Sequence, residues 1–140
     1  MTLDLSHIDN TWTLFLDRDG VINHEKHLDY IHTWDEFKFY DGAKVAIKLF
    51  TEKFNRIIIV TNQRGIAKGV TKEADLQLIH KNMVIEIEKV GGKIDGIYYC
   101  PELESPNRKP NPGMGLQAVK DFPDIDPALA TGPFVTTLND

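Results

Sequence analysis

One stretch decides the fold of this chain: Thr13-Leu14-Phe15-Leu16-Asp17-Arg18-Asp19-Gly20-Val21-Ile22-Asn23. Its apolar half ends in two carboxylates that flank one arginine, and a glycine follows. Residues two apart in an extended segment point to the same side, so Asp17 and Asp19 start together where a buried strand meets solvent. Gly20 then allows a sharp turn. Ligands bind at the carboxyl ends of strands in open α/β sheets, so this pair is suited to hold a hard cation and to attack or protonate a neighbouring group.

Three more segments have the composition of strands. Residues 56–60 are an arginine and four β-branched residues without polar alternation, which is typical of a strand buried on both faces of a parallel sheet. Residues 97–100 predict a third strand and residues 134–135 a weak fourth. Helical patterns separate these strands. We therefore predict the α/β class: a Rossmann-like three-layer α/β/α fold with a mostly parallel sheet and a small cap or none.

Each intervening helix is predicted from a start signal and an apolar stripe. Asp41 caps a helix to about residue 54, Thr71 caps a second that ends at two glycines, and Asn111 precedes a third that begins at Pro112. Residues 37–39 alternate in polarity, which predicts a short hairpin or flap. The residues predicted to face inward are Val45, Ala46, Leu49 and Phe50 in the first helix, Leu76, Ile79, Met83, Ile87 and Val90 in the second, and Leu116 and Val119 in the third.

Composition narrows the class of protein. The length of 140 residues suits one domain, and 41% hydrophobic with 26% charged residues is ordinary for a globular protein. A net charge of −5 argues against a nucleic-acid partner, and a single cysteine fits a reducing compartment. Residues 1–10 lack the apolar core of a signal peptide, and no apolar run is long enough to span a bilayer. We expect a soluble, cytoplasmic protein that does not associate with membranes.

The ends of three strands supply groups that suit phosphoryl transfer. One carboxylate can attack, a hydroxyl and an amide can hold phosphate oxygens, and a lysine with a metal ion can offset the negative charge. Each part also has an ordinary alternative, because Asp-x-Asp-Gly is common in turns and Arg-Lys pairs are usually solvated basic patches. The residues of the predicted set are Asp17, Asp19, Thr61, Asn62, Arg108 and Lys109.

Four ordered motifs resemble those of the haloacid-dehalogenase superfamily of phosphohydrolases. The likeness is greatest to the branch that contains D-glycero-D-manno-heptose-1,7-bisphosphate phosphatase and histidinol-phosphate phosphatase. It runs from about residue 13 to about residue 126 and would make residues 1–140 a single domain of this type. The matching motifs are the opening stretch, then Thr61-Asn62-Gln63-Arg64-Gly65-Ile66-Ala67-Lys68-Gly69, Asp95-Gly96-Ile97-Tyr98-Tyr99-Cys100-Pro101, and Arg108-Lys109-Pro110-Asn111-Pro112-Gly113-Met114.

The resemblance implies a role for each matching residue. Asp17 would be the nucleophile that becomes an aspartyl-phosphate, Asp19 would protonate the leaving oxygen and then activate water, and Lys109 would neutralise the phosphoryl group and orient Asp17. Mg²⁺ would be held by the Asp17 carboxylate and the Asp19 main-chain carbonyl. The substrate-binding residues that it implies are Asn23, Thr61, Asn62, Gln63, Arg64 and Arg108.

Two departures from the family pattern stand out. Many relatives carry a zinc loop of three cysteines and a histidine after the third strand, where this chain has only Cys100, so zinc is not expected. The family's fourth strand ends in an aspartate that completes the metal site. Here Thr136 falls at that position, and Asp140 matches the second acid of that motif and joins the predicted metal set. The carboxyl-terminal part is therefore expected to be truncated or diverged relative to the family.

The sequence thus predicts a Mg²⁺-dependent phosphatase that acts on a small sugar phosphate, with D-glycero-D-manno-heptose 1,7-bisphosphate as the first candidate. The expected assembly is a monomer or a weak homo-oligomer. Histidinol phosphate is the alternative substrate. A catalytically impaired phosphate-binding module is the alternative of another class, because Thr136 replaces the metal aspartate. A receiver-like domain is disfavoured, because receivers lack the second acid two residues after the phosphorylated aspartate.

Overall fold

The protein, described from a computed structural model, is a parallel sheet with helices on both faces. The structure describes residue 6 and residues 8–131. Its strands are β1 (Thr13–Leu16), β2 (Arg56–Asn62), β3 (Gly96–Cys100) and β4 (Ala130–Thr131), and its helices are α1 (Ala43–Lys53), α2 (Glu73–Lys89) and α3 (Gly113–Asp121). Two short 3-10 helices lie at Trp34–Glu36 and Pro127–Leu129. The predicted alternation of strands and helices is confirmed, whereas the strand predicted at residues 134–135 lies outside the described residues.

All pairings within the sheet are parallel, in the order β3-β2-β1-β4. Residues in β2 alternate between the two faces, and both faces are buried. Ile57 and Ile59 pack in one cluster with α1 and α2, whereas Ile58 and Val60 pack in another with α3. The predicted three-layer α/β/α class is therefore confirmed. The parallel arrangement brings the carboxyl ends of β1, β2 and β3 to one edge of the sheet.

The inward face of α1 differs from the prediction. Val45 and Leu49 are 60% and 58% exposed, and the buried residue of the helix is Ile47. The sequence of α1 carries two competing apolar stripes, and a helix lying on a sheet can bury only one of them. The stripe that packs on the sheet contains Ile47, Phe50 and, just past the helix, Phe54, and of these Phe50 was predicted to face inward.

The inward face predicted for α2 is confirmed except at its end, where Val90 is exposed: Leu76, Ile79, Met83 and Ile87 are all buried. The inward face predicted for α3 was wrong. In α3 the buried residues are Met114 and Ala118, and Leu116 is exposed. Each helix begins one residue later than predicted, and none has a side-chain cap. The N-cap residues are Gly42 for α1, Lys72 for α2 and Pro112 for α3. Thr71 instead bonds through Oγ1 to the His32 ring, at 2.7 Å.

Only loops and one 3-10 helix lie between β1 and α1 in the described part of the chain. The segment of residues 24–39 folds back on residues 22–24, beyond the end of β1, through antiparallel bonds in which His24 N donates to Lys38 O and Tyr40 N donates to Ile22 O. This agrees with the predicted flap and with a small cap or none. None of the helices among the described residues has the length and apolar character needed to cross a membrane.

Candidate active site

An open cleft of about 790 Å³ lies at the carboxyl edge of the sheet. Its walls come from the turn after β1, the flap, the loop after β2 and the loop before α3. A smaller cavity of about 280 Å³ beside β3 and α3 is lined by neutral residues, so the larger cleft is the candidate site. The polar and charged residues that line the cleft are Asp19, Glu25, Lys26, His27, Asp29, Tyr30, Asn62, Arg64, Lys68 and Arg108.

A buried ion pair stands at the end of β1. Lys109 Nζ lies 3.0 Å from Asp17 Oδ1, and the two side chains are only 3% and 2% exposed. Asp17 Oδ1 also accepts a hydrogen bond from the Arg18 main-chain nitrogen at 2.7 Å. The predicted proximity of Lys109 to Asp17 is confirmed. The pair places a fixed positive charge beside a carboxylate, which is the arrangement that an attack on a dianionic ester requires.

The loop that carries Lys109 is fastened to β2 by Asn62. The side-chain oxygen of Asn62 accepts from Lys109 N at 2.9 Å, and its amide nitrogen donates to Lys109 O at 3.3 Å. Beside it, the Thr61 hydroxyl accepts from the Gln63 amide at 3.0 Å. Binding of a phosphoryl group by Thr61 and Asn62 stays a prediction, and what the Asn62 side chain does in this structure is to hold the backbone of the lysine.

Four donors hold the carboxylate of Asp19. Its Oδ1 accepts from Arg18 Nε at 3.1 Å, Arg18 Nη2 at 2.7 Å and Asn23 Nδ2 at 2.9 Å, and its Oδ2 accepts from Gln63 Nε2 at 2.9 Å. Asn23 and Gln63 therefore lie against Asp19, and direct substrate contacts by either residue stay a prediction. The turn that presents Asp19 contains Gly20 at φ +83°, as the sharp turn after β1 requires. The Asp19 side chain is one quarter exposed, towards the cleft.

The lining of the cleft carries both signs of charge: Glu25 and Asp29 come from the flap, and one wall is cationic. Arg64, Lys68 and Arg108 line it, and Arg108 Nη1 is a buried donor with no hydrogen-bond partner within residues 6 and 8–131. Partial burial acts to raise the pKa of the Tyr30 hydroxyl, but hydrogen bonds and charges from Lys68 and Arg64 outweigh it and lower that pKa. The Lys68 ammonium also lies 5.5 Å from the centre of the Tyr30 ring. This wall can receive a second anionic group.

Neither Lys68 nor Tyr30 was named as a predicted site residue, although the aromatic stretch of residues 30–40 is expected from the sequence to frame the site. Lys68 lies inside the second motif, seven residues after Thr61, and that position was the available signal. Tyr30 lies in an aromatic stretch, where satellite core packing is the usual role. Only the fold of the flap shows which ring reaches the cleft.

The structure describes only two of the three residues predicted to bind the metal. Asp17 and Asp19 lie at the site, whereas Asp140 and Thr136 are outside the described residues. No group of three or more His, Cys, Asp or Glu side chains suited to a metal occurs in the described ranges. Cys100 is buried with its sulfur 3.5 Å from Ser105 Oγ, and the expectation that the loop holds no zinc stays a prediction.

Comparison with known proteins gives the family. The sequence profile of the polynucleotide kinase 3 phosphatase family matches residues 13–131. The chain belongs to this family. Among curated relatives, the D-glycero-alpha-D-manno-heptose-1,7-bisphosphate 7-phosphatase of Mycobacterium bovis is 38% identical over 122 residues, which are 85% of this chain and 64% of the relative. The enzyme of the same name from Campylobacter jejuni is 44% identical over 117 residues, 83% of this chain and 66% of the relative.

Solved structures of family members have the same fold. The D,D-heptose 1,7-bisphosphate phosphatase from B. bronchiseptica, crystallised with magnesium and phosphate, superimposes with a TM-score of 0.74 at 31% identity over 80% of this chain and 64% of that one. The resemblance to haloacid-dehalogenase-like phosphatases is therefore confirmed. The chain spans 64% of the length of the mycobacterial relative that it matches.

Proposed function

We propose that this chain is a phosphomonoesterase that hydrolyses a small sugar phosphate through an aspartyl-phosphate on Asp17. The observation that carries the proposal is the buried pair of Asp17 and Lys109, 3.0 Å apart at the edge of an open cleft. A buried acid-lysine pair alone has a structural explanation too. Here, however, a second acid, Asp19, is held beside it by four donors and faces the same cleft. That combination supplies both a nucleophile and a proton carrier.

The proposed reaction has two steps. In the first, a carboxylate oxygen of Asp17 attacks phosphorus, the bond from phosphorus to the ester oxygen breaks, and Asp19 gives its proton to the departing sugar oxygen. In the second, Asp19 takes a proton from water, the water oxygen attacks the phosphorus of the aspartyl-phosphate, and Asp17 leaves as a carboxylate with inorganic phosphate as product. Lys109 offsets the negative charge in both steps, because its ammonium already touches the attacking carboxylate.

The donor set fits Mg²⁺. Asp17 and Asp19 offer only oxygen ligands, which hard cations prefer, and Mg²⁺ is commonly held by one or two carboxylates with the remaining positions filled by water and substrate phosphate. Asp17 would hold the ion through its carboxylate, and Asp19 through its main-chain carbonyl. The bound ion would supply charge neutralisation at the phosphoryl oxygens.

A sugar bisphosphate is the substrate that the cleft supports best. One phosphate at Asp17 leaves the other for the wall of Arg64, Lys68 and Arg108, where a buried donor of Arg108 has no partner among the described residues. Histidinol phosphate would instead present an ammonium group to this wall, and repulsion between the positive charges disfavours its binding. D-glycero-D-manno-heptose 1,7-bisphosphate, cleaved at the 7-phosphate, is therefore the proposed substrate. The names of the relatives support it. A single domain over residues 1–140 stays part of the proposal.

Release of inorganic phosphate tests the proposal. The chain is incubated with Mg²⁺ and either anomer of the heptose bisphosphate, and with histidinol phosphate as comparison. We expect release from the bisphosphate, loss of release with EDTA, and a fall of at least about 1,000-fold in Asp17→Asn. Asp35→Asn, which removes an exposed carboxylate of the flap, is the matched control and should keep the parent rate. Equal background release from the parent and Asp17→Asn would support the impaired phosphate-binding module instead.

A further inference from the structure

A buried histidine on α2 has no part in the mechanism above. His80 is only 6% exposed, and its Nε2 lies 3.1 Å from Nη1 of Arg18. Burial first, and then the charge of Arg18, lower the pKa of His80 to about 3, against a weaker opposing effect of Asp19. An arginine can only donate, so Nε2 must be the acceptor and the ring proton lies on Nδ1. A neutral imidazole thus offers a lone pair to a guanidinium.

Arg18 donates hydrogen bonds from its guanidinium both to His80 and to the Asp19 carboxylate. Its side chain is fully buried, with Nε and Nη2 on Asp19 Oδ1 and Nη1 on His80. The guanidinium carbon also lies 5.8 Å from the centre of the Phe37 ring. A buried planar cation stays in one orientation only when its donors are satisfied on more than one edge. The acceptor on α2 therefore fixes the plane of the guanidinium that grips Asp19.

We propose that His80 is a positioning residue for proton transfer, acting through Arg18 on the carboxylate of Asp19. The role rests on the proposed function, because it matters only if Asp19 moves a proton. A general acid must stay within hydrogen-bond reach of the leaving oxygen, and small losses of alignment lower the rate. Since His80 lies outside the cleft lining, its removal should change the chemical step more than substrate binding.

The test compares two esters that differ in their need for a proton. A sugar alkoxide leaves only when it is protonated, whereas p-nitrophenolate leaves without that help. The second-order constant kcat/KM reports the steps up to formation of the aspartyl-phosphate, so it isolates the step in which Asp19 acts as an acid. The variants are His80→Phe, which keeps a ring and removes the acceptor, and the pair His80→Gln and His80→Asn. Glutamine is long enough to present an oxygen to Arg18, and asparagine is too short.

We expect His80→Phe and His80→Asn to lower kcat/KM for the sugar phosphate by about tenfold, mainly through kcat. The same constant for p-nitrophenyl phosphate should stay within about twofold, and His80→Gln should recover most of the loss on the sugar ester. Lys81→Met, on the exposed side of α2, serves as control and should leave both constants unchanged.

The possible outcomes separate the two proposals. Equal losses on both esters in an active protein, or equal rates for the Gln and Asn variants, would overturn the positioning role and leave the phosphatase intact. A parent chain that hydrolyses neither ester with Mg²⁺ would overturn the proposed function and this role together. Should the Phe variant not fold, as judged by circular dichroism, the Gln and Asn pair decides alone, because both side chains carry the same amide group and differ only in reach.

Discussion

Replacing Lys109 with methionine should destabilise the fold and reduce catalysis together. Methionine keeps much of the stem of the side chain and removes the charge, which leaves the Asp17 carboxylate at 2% exposure without its cation. Two unit charges 3.0 Å apart attract by about 5 kcal/mol at an effective dielectric constant of about 20. Removing one partner of a buried pair costs about 3–5 kcal/mol in practice. We therefore expect the free energy of unfolding to fall by about 3–5 kcal/mol, a large part of the roughly 5–15 kcal/mol of a typical domain.

Urea unfolding monitored by circular dichroism measures this loss. The double variant Asp17→Asn with Lys109→Met should lose about 1–3 kcal/mol less than the sum of the two single variants, because the pair is then absent rather than broken. Lys81→Met is again the matched control, since it removes an exposed lysine and should shift stability by no more than about 0.5 kcal/mol. A Lys109→Met protein that loses less than about 1 kcal/mol would refute the reasoning, because the two charges would then be solvated rather than buried together.

Three further predictions concern stability. Because the pKa of His80 is lowered to about 3 in the fold, the unfolded chain binds a proton there between about pH 6.5 and pH 3, so the unfolding free energy should fall as pH falls through that window. This pH dependence amounts to at most about 1.4 kcal/mol per pH unit. It should be absent in His80→Gln when its unfolding free energy, measured with urea, is compared between pH 6.5 and pH 5. Ile47→Ala should cost about 2–5 kcal/mol and Val45→Ala no more than about 0.5, and equal losses would contradict the observed face of α1. Gly113→Ala places a Cβ against the main-chain carbonyl oxygen of Pro106 and should lower the melting temperature. Gly115→Ala meets nothing within 4 Å and should raise it, through about 0.5–1 kcal/mol of helix propensity.

The sheet and the meeting of its carboxyl ends at one edge could be predicted from the sequence because both follow from short-range rules. The apolar runs ending in Asp17 and in Thr61 have the composition of strands buried on two faces, and parallel strands bring their carboxyl ends to one edge. The motif order then indicated that Lys109 joins them. These inferences need only the direction of each strand and no detail of packing.

Helix faces and supporting contacts were not accessible in the same way. Val45 and Leu49 make as good an apolar stripe as the one that is buried, and only the fit against the sheet decides between them. His80 is polar at a core position of α2, and nothing in its own sequence neighbourhood shows that the buried Arg18 lies across from it. Likewise, no local pattern shows that the Asn62 side chain bonds to main-chain groups in another loop.

The pair of hydrogen bonds between the Asn62 side-chain amide and the Lys109 main chain has an evolutionary consequence. An amide that satisfies both the N–H and the C=O of one residue imitates a rung of a β-ladder, so it anchors the segment at a single link. This anchor fixes the Lys109 main chain relative to β2 independently of the length of the loop that precedes it. Insertions and deletions in that loop should therefore leave the lysine in register with Asp17.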